Sequence, residues 1–207
     1  MSASELIRWG ALSAIVGGAL WVVSDLWGIL RVGLGDELPF SEEATTASFA
    51  ATTGLSLLGA VLILFGLVGL NLRHAEATGL LGKVGFPIAF LGTALVIGIS
   101  WAIFFVAPSA ALEAPEFLDA EEVRGPLDTG FILSGFVFAV GWALFGAGAW
   151  LVRTYPRWVV IVFIVAALIQ LFPFPGTGLL FGVAVGLLGF FALTRGSKSY
   201  RHPSRGS

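Results

Sequence analysis

The chain contains no cysteine, which removes disulfides, thiol nucleophiles and thiolate metal sites together. Histidine is nearly as scarce: His74 and His202 are the only two. They stand far apart with no partner His at ligand spacing, so a metal cage has no ligand set and a Ser-His-Asp constellation cannot be assembled within one leaflet. Charge is thin at 12% of residues, against about 25% in soluble domains. That sparseness leaves no basic surface for nucleic acid. No small-residue cleavage pattern follows Gly28, and the first apolar run is too long for a signal peptide, so it reads as an uncleaved span.

What the chain has instead is apolar length. Hydrophobic residues make up 57% of it, with 28 Gly and 18 Phe, a composition suited to close helix packing in lipid, where small residues let backbones approach. Six segments approach the roughly 20 residues needed to cross a 30 Å hydrocarbon core. They fall near 8–32, 47–72, 80–107, 127–152, 156–172 and 177–194. The expected fold is an all-α, six-span transmembrane bundle over residues 1–195, followed by a basic tail at 196–207. The fifth span is the shortest, and about 17 residues at 1.5 Å reach only about 26 Å.

Nine of the eleven Lys and Arg (Arg8, Arg73, Lys83, Arg153, Arg157, Arg195, Lys198, Arg201 and Arg205) fall on one side of these spans, and only Arg31 and Arg124 on the other. The positive-inside rule then places both termini in the cytoplasm. Ten of the thirteen acids lie on the opposite side. There, Ser41 ahead of Glu42 and Glu43 reads as an N-cap. Pro115 sits at a first helical position, with Phe117, Leu118 and Val123 as the apolar side of a short surface helix. Thr53-Gly54, Thr129-Gly130 and Thr177-Gly178 open the three spans that run from outside to inside, a weak repeat compatible with three helical hairpins.

The run Arg8-Trp9-Gly10-Ala11-Leu12, the stretch Val84-Gly85-Phe86-Pro87-Ile88-Ala89-Phe90-Leu91-Gly92 and the segment Gly141-Trp142-Ala143-Leu144-Phe145-Gly146 resemble small six-span membrane proteins common in bacteria, actinobacterial types in particular. The resemblance implies the fold. No activity attaches to that group, and no functional residue is carried over from it.

One residue breaks the apolar pattern. Asp25, in Trp21-Val22-Val23-Ser24-Asp25-Leu26-Trp27-Gly28, is the only acid inside a span. A carboxylate there costs at least about 2.5–3.5 kcal/mol on insertion scales, so it needs a partner, water access or a proton. Steps of three and four put Asp25 on one stripe with Ala11, Ala14, Gly18 and Trp21, a small-residue face that points inward. Ser100, Trp101, Ser134 and Gln170 lie at comparable depth on other spans, and with Asp25 and Trp21 they are the expected ligand-binding set. Trp9, Trp27, Trp150 and Trp158 fit an interfacial belt. Pro87 is expected to kink its span by freeing the carbonyl of Lys83.

Three functions remain open on these residues. The first is binding or carrying a small apolar or lipid-like solute from the outer leaflet. The second is an intramembrane enzyme acting on a lipid or isoprenoid, with Asp25 as acid. The third is an accessory subunit. Gly178, Gly182 and Gly186, at four-residue spacing, form a packing seam that would dock a second copy or a partner membrane protein. Gly176-Thr177-Gly178-Leu179-Leu180-Phe181-Gly182 has the look of a dinucleotide loop, but no strand precedes it. No cofactor or metal is expected, and the bilayer is the one partner the composition requires.

Overall fold

Why the apolar runs become helices follows from their surroundings: in hydrocarbon every backbone N–H and C=O must be satisfied within the segment, and a helix does this. The computed structural model describes residues 2–33, 38–74, 79–120, 125–153, 155–172 and 176–196. Among these residues the chain is all helical. The elements are α1 (Ala3–Gly33), α2 (Phe40–Ala44), α3 (Ala47–His74), α4 (Gly79–Phe105), α5 (Ala107–Glu113), α6 (Pro115–Asp119), α7 (Pro126–Val152), α8 (Arg157–Ile169) and α9 (Thr177–Gly196). Five of them, α1, α3, α4, α7 and α9, are long and apolar enough to cross a membrane. The molecule is a helical, multi-pass membrane bundle.

The expected fifth span is shorter than its apolar run. Helix α8 has 13 residues, about 20 Å at 1.5 Å per residue, because the chain turns at Gln170, Leu171 and Phe172 ahead of the prolines. Prolines also punctuate the starts. Pro115 and Pro126 each occupy the first helical position, where the missing N–H is no loss. Gly125, just before Pro126, takes φ +60°, a backbone state open to glycine at no steric cost. Pro87 lies inside α4, which continues through it as one helix.

The six longer helices form a closed ring in chain order. α1 packs on α3, α3 on α4, α4 on α7, α7 on α8, α8 on α9, and α9 returns to α1. The tightest pairs run antiparallel: Gly10 faces Gly69 and Gly17 faces Gly59 between α1 and α3, while Gly85 faces Phe145 and Gly92 faces Phe138 between α4 and α7. The middle of the ring is filled with aromatic rings. Phe181 has its centroid 4.9 Å from Phe138, 5.3 Å from Trp142 and 5.6 Å from Trp21. Phe163 is 5.6 Å from Trp142. With Ile63, Leu67 and Ala89 these rings are buried in one core. The centre is a packed plug of side chains.

The chain folds so that the described cations at the α1 start, α3 end, α7 end and α8 start share one end of the bundle, called the basic end below. Arg31 and the short helices α2, α5 and α6 share the other, acidic end. Residues 121–124, Pro173-Phe174-Pro175 and 197–207, which include Val123, Arg124 and the basic tail, lie outside the described residues. The three Thr-Gly steps have three different surroundings: Gly54 faces the ring of Phe104, Gly178 faces Asp25, and Gly130 faces open space. Helix α9 is also packed more extensively on α1 than on α8, its expected hairpin partner.

At the acidic end the short helices form a cap. Ser41 does not cap α2, which starts at Phe40 with no side-chain cap. Its hydroxyl donates to Asp119 Oδ2 at 2.6 Å, and its backbone N–H donates to Asp119 Oδ1 at 2.9 Å. A carboxylate from the second acidic loop outcompetes the local cap, and in doing so ties the two loops together. Ala44, Phe49, Ala107 and Ala111 form a small apolar core beneath. The expected surface helix does open at Pro115, as α6, and ends at Asp119, with Val123 outside the described residues; a further short helix, α5, precedes it across Ala114.

Candidate functional site

The first N–H groups of any helix lack intrahelical partners, and the aligned peptide dipoles make that end positive. Helix α9 begins against α1, and there Asp25 Oδ2 accepts the backbone N–H of Leu179 at 2.8 Å. Gly178 lies beside the carboxyl: a Cβ built on it would stand 3.4 Å from the Asp25 carboxyl carbon, an ordinary contact distance. Gln170, at the end of α8, donates from Nε2 to the carbonyl of Thr177 at 2.9 Å. Two polar side chains from two helices therefore pin the first turn of α9. At its other end the guanidinium of Arg73, from α3, donates to the carbonyl of Ala192. A carboxyl oxygen at the N-terminus and a guanidinium at the C-terminus thus meet the two ends of α9 from neighbouring helices, where its dipole favours an acceptor and a donor.

The expected six-residue set is thus divided. Asp25, Trp21 and Gln170 gather around α9. Ser100 and Trp101 are on α4, which is not a ring neighbour of α1, and Trp101 is 53% exposed on the outer surface of the bundle. Ser134 is buried and donates to the carbonyl of Gly130, one turn back on its own helix, at 2.7 Å. The deep Trp142 also has its reason: fully buried, it donates from Nε1 to Thr93 Oγ1 at 2.9 Å, and Thr93 donates onward to the Ala89 carbonyl at 2.7 Å. The three seam glycines differ: a Cβ on Gly182 would lie 2.5 Å from the carbonyl oxygen of Gly18, one on Gly178 would touch the Asp25 carboxyl, and one on Gly186 would meet nothing within 4 Å. Helix α1 therefore covers the seam closely at Gly182.

On the side of α1 that faces α3 lies a second feature. Residues Trp21, Ser24, Trp27 and Arg31, at steps of three and four, share a stripe. Each donates across to the next helices: Trp21 Nε1 to the Ser56 carbonyl at 2.9 Å, Ser24 Oγ to the Thr52 carbonyl at 3.0 Å, Trp27 Nε1 to Ser48 Oγ at 2.7 Å, and Arg31 Nη1 to Glu43 Oε1 at 2.7 Å. The signal was present in α3, where Ser48, Thr52 and Ser56 recur every fourth residue. Beside these rungs is a groove of about 290 Å³ lined by Val23, Trp27, Ser48, Ala51, Thr52 and Leu55. Val23 and Trp27 are about half exposed along it. It therefore opens sideways on the lipid-facing surface.

At the basic end, Arg157 lies over the Trp150 ring at 5.4 Å from its centroid. Burial pushes the Tyr155 hydroxyl well above the usual tyrosine range, against the opposing pull of the Arg73 guanidinium. Among the described residues, no three His, Asp or Glu side chains come together as metal ligands would.

These features define the class, a multi-pass helical membrane protein with a plugged centre and a lateral groove. Comparison with protein-family models, with curated proteins and with solved structures finds no match to this chain.

Proposed function

We propose that this protein binds a small apolar or lipid-like molecule in the groove between α1 and α3, on the outer-leaflet side of a cytoplasmic membrane with both termini in the cytoplasm. The groove carries the reading. The middle of the bundle is filled by Trp142, Phe138, Phe163, Phe181 and Trp21, so an apolar chain finds room at the side, where about 290 Å³ opens between Val23, Ala51 and Leu55. That volume is at the small end of ligand sites and suits a single chain. The nine-to-two division of Lys and Arg supports the orientation, because basic residues near span ends are retained inside. Asp25 takes a supporting part in this reading: its carboxylate holds α9 through Leu179, and the ligand role passes to the groove on the opposite side of α1.

The test is quenching of tryptophan fluorescence by lipids brominated along the chain, in the full-length protein in bilayer nanodiscs. Saturable quenching that is lost in Trp27→Phe, and blocked when Ala51→Phe fills the groove, is the expected result. Quenching that stays linear in lipid and ignores Ala51→Phe would refute it. Labelling of single cysteines at 33–41 from the outside, with Ser197 reachable only from the inside, is expected for the orientation.

A further inference from the structure

The groove has a head as well as a body. From Trp27 to Arg31 helix α1 rises about 6 Å, one turn, so the Arg31–Glu43 pair stands directly beyond the Trp27–Ser48 rung that bounds the groove. The two partners are unequally accessible: the Arg31 side chain is 16% exposed, and that of Glu43 35%. The guanidinium is the more buried of the two, on the last turn of α1 where the helix dipole also holds it. The more accessible charge beyond the groove head is therefore Glu43, and Glu42 next to it in sequence is exposed. The wall below is the half-exposed indole of Trp27, whose face attracts a cation. Apolar slot, indole wall and carboxylate head follow one another along the same helix face.

We infer that the occupant of this groove is an amphiphile with a cationic, ammonium-type head, its apolar chain lying along Val23, Ala51 and Leu55 and its charge against Glu43 and the Trp27 ring. This rests on the groove being a binding site at all, and it adds the charge of the ligand to that reading. An anionic head would meet Glu43 and Glu42 before it reached Arg31. A phosphocholine head, whose phosphate precedes its ammonium, would bring that negative charge alongside the Glu43 carboxylate. A cationic head adds a partner to Glu43 with the existing pair intact.

The experiment compares four probes sharing one terminally brominated dodecyl chain, with trimethylammonium, maltoside, phosphocholine or sulfate heads, on the full chain in nanodiscs. The reading is the part of the tryptophan quenching that disappears in Trp27→Phe. The ammonium probe is expected to bind at least about ten-fold more tightly than the maltoside, and the sulfate more weakly. Because Glu43→Gln alone leaves Arg31 unpaired, the preference is also tested in the double variant Arg31→Gln with Glu43→Gln, where it should vanish. In Arg31→Gln alone it should persist or grow. Equal affinity for all four heads, with Ala51→Phe still blocking each, would overturn the cationic ligand and leave the groove standing. Tightest binding of sulfate or phosphocholine, abolished by Arg31→Gln, would likewise overturn it. Absence of saturable quenching by every probe would overturn both readings.

Discussion

The α1–α3 and α4–α7 pairs are both antiparallel, both glycine-rich and about equally long, yet they are held together differently. Between α4 and α7 the glycine contacts lie in the basic half, Gly85 against Phe145, Gly92 against Phe138 and Gly141 against Ala89, while Gly98, Gly130 and Gly135 toward the acidic end meet nothing within 4 Å. A polar contact between them, Trp142 to Thr93, is fully buried. Between α1 and α3 the backbones likewise touch in the basic half, at Gly10 with Gly69 and at Gly17 with Gly59. Toward the acidic end the glycines give way to Trp21, Ser24, Trp27 and Arg31. The larger side chains replace backbone contact with hydrogen-bonded rungs, and space is left between the helices. Close packing and a binding groove are alternative uses of the same helix pair geometry, chosen by side-chain size along one stripe.

The largest effect should come from removing that difference by force. Gly141→Leu would drive a side chain into the backbone at Ala89 and is expected to cost about 3 kcal/mol or more, with Gly182→Leu at the α1–α9 seam costing about 1–3 kcal/mol. Gly135→Leu, at a position where an added Cβ meets nothing within 4 Å, should stay within about 0.5 kcal/mol. Thermal unfolding in detergent measures all three. Equal loss at Gly135 and Gly141 would mean that the described seams do not govern stability.

Next in size is the clamp on α9. Asp25→Leu leaves the Leu179 N–H without its acceptor and is expected to cost about 1–3 kcal/mol, whereas Asp25→Asn keeps an acceptor oxygen and should be mild. A stable Leu variant beside a damaged Asn variant would return Asp25 to the candidate functional residues. The polar contacts of the two pairs can then be set against each other. Thr93→Val orphans a buried indole N–H and should cost about 1–3 kcal/mol. Ser24→Ala removes a half-buried interhelical bond and should cost about 0.6 kcal/mol. A reversal of that order in unfolding measurements would place the dominant polar contact in α1–α3.

The smallest effect concerns the closed, basic half. Tyr155 is 3% exposed, and its raised pKa means that the folded state keeps the hydroxyl protonated where an unfolded tyrosine, near pH 10, would release its proton. Its contribution to stability is therefore complete below about pH 10 and is lost as pH rises above that value. Absorbance titration of folded protein should show the same amplitude near pH 10 in the parent and in Tyr155→Phe, and a smaller amplitude in the variant would show that Tyr155 is open to solvent.

Much of the architecture could be read from single residues because the bilayer makes one demand, satisfaction of the backbone, and apolar length answers it. Long runs at 47–72 and 127–152 had little alternative to becoming α3 and α7. The oddity of Asp25 was equally plain, since one carboxylate among apolar residues carries a known cost. Its partner was not plain, for it is a backbone N–H, a group every residue has, supplied by Leu179 from 154 positions away. The same reason hid the partner of Gln170, the Thr177 carbonyl, and gave Ser41 a false local reading, because Asp119 is distant in sequence. The groove escaped notice because it is an absence of atoms between two stripes, each of which was visible separately. Composition determined that the chain lives in lipid and forms helices, because those choices depend on local chemistry alone. Tertiary structure decided which helix Asp25 holds, which glycines meet and where space remains, because each depends on what lies opposite, and sequence order does not specify opposition.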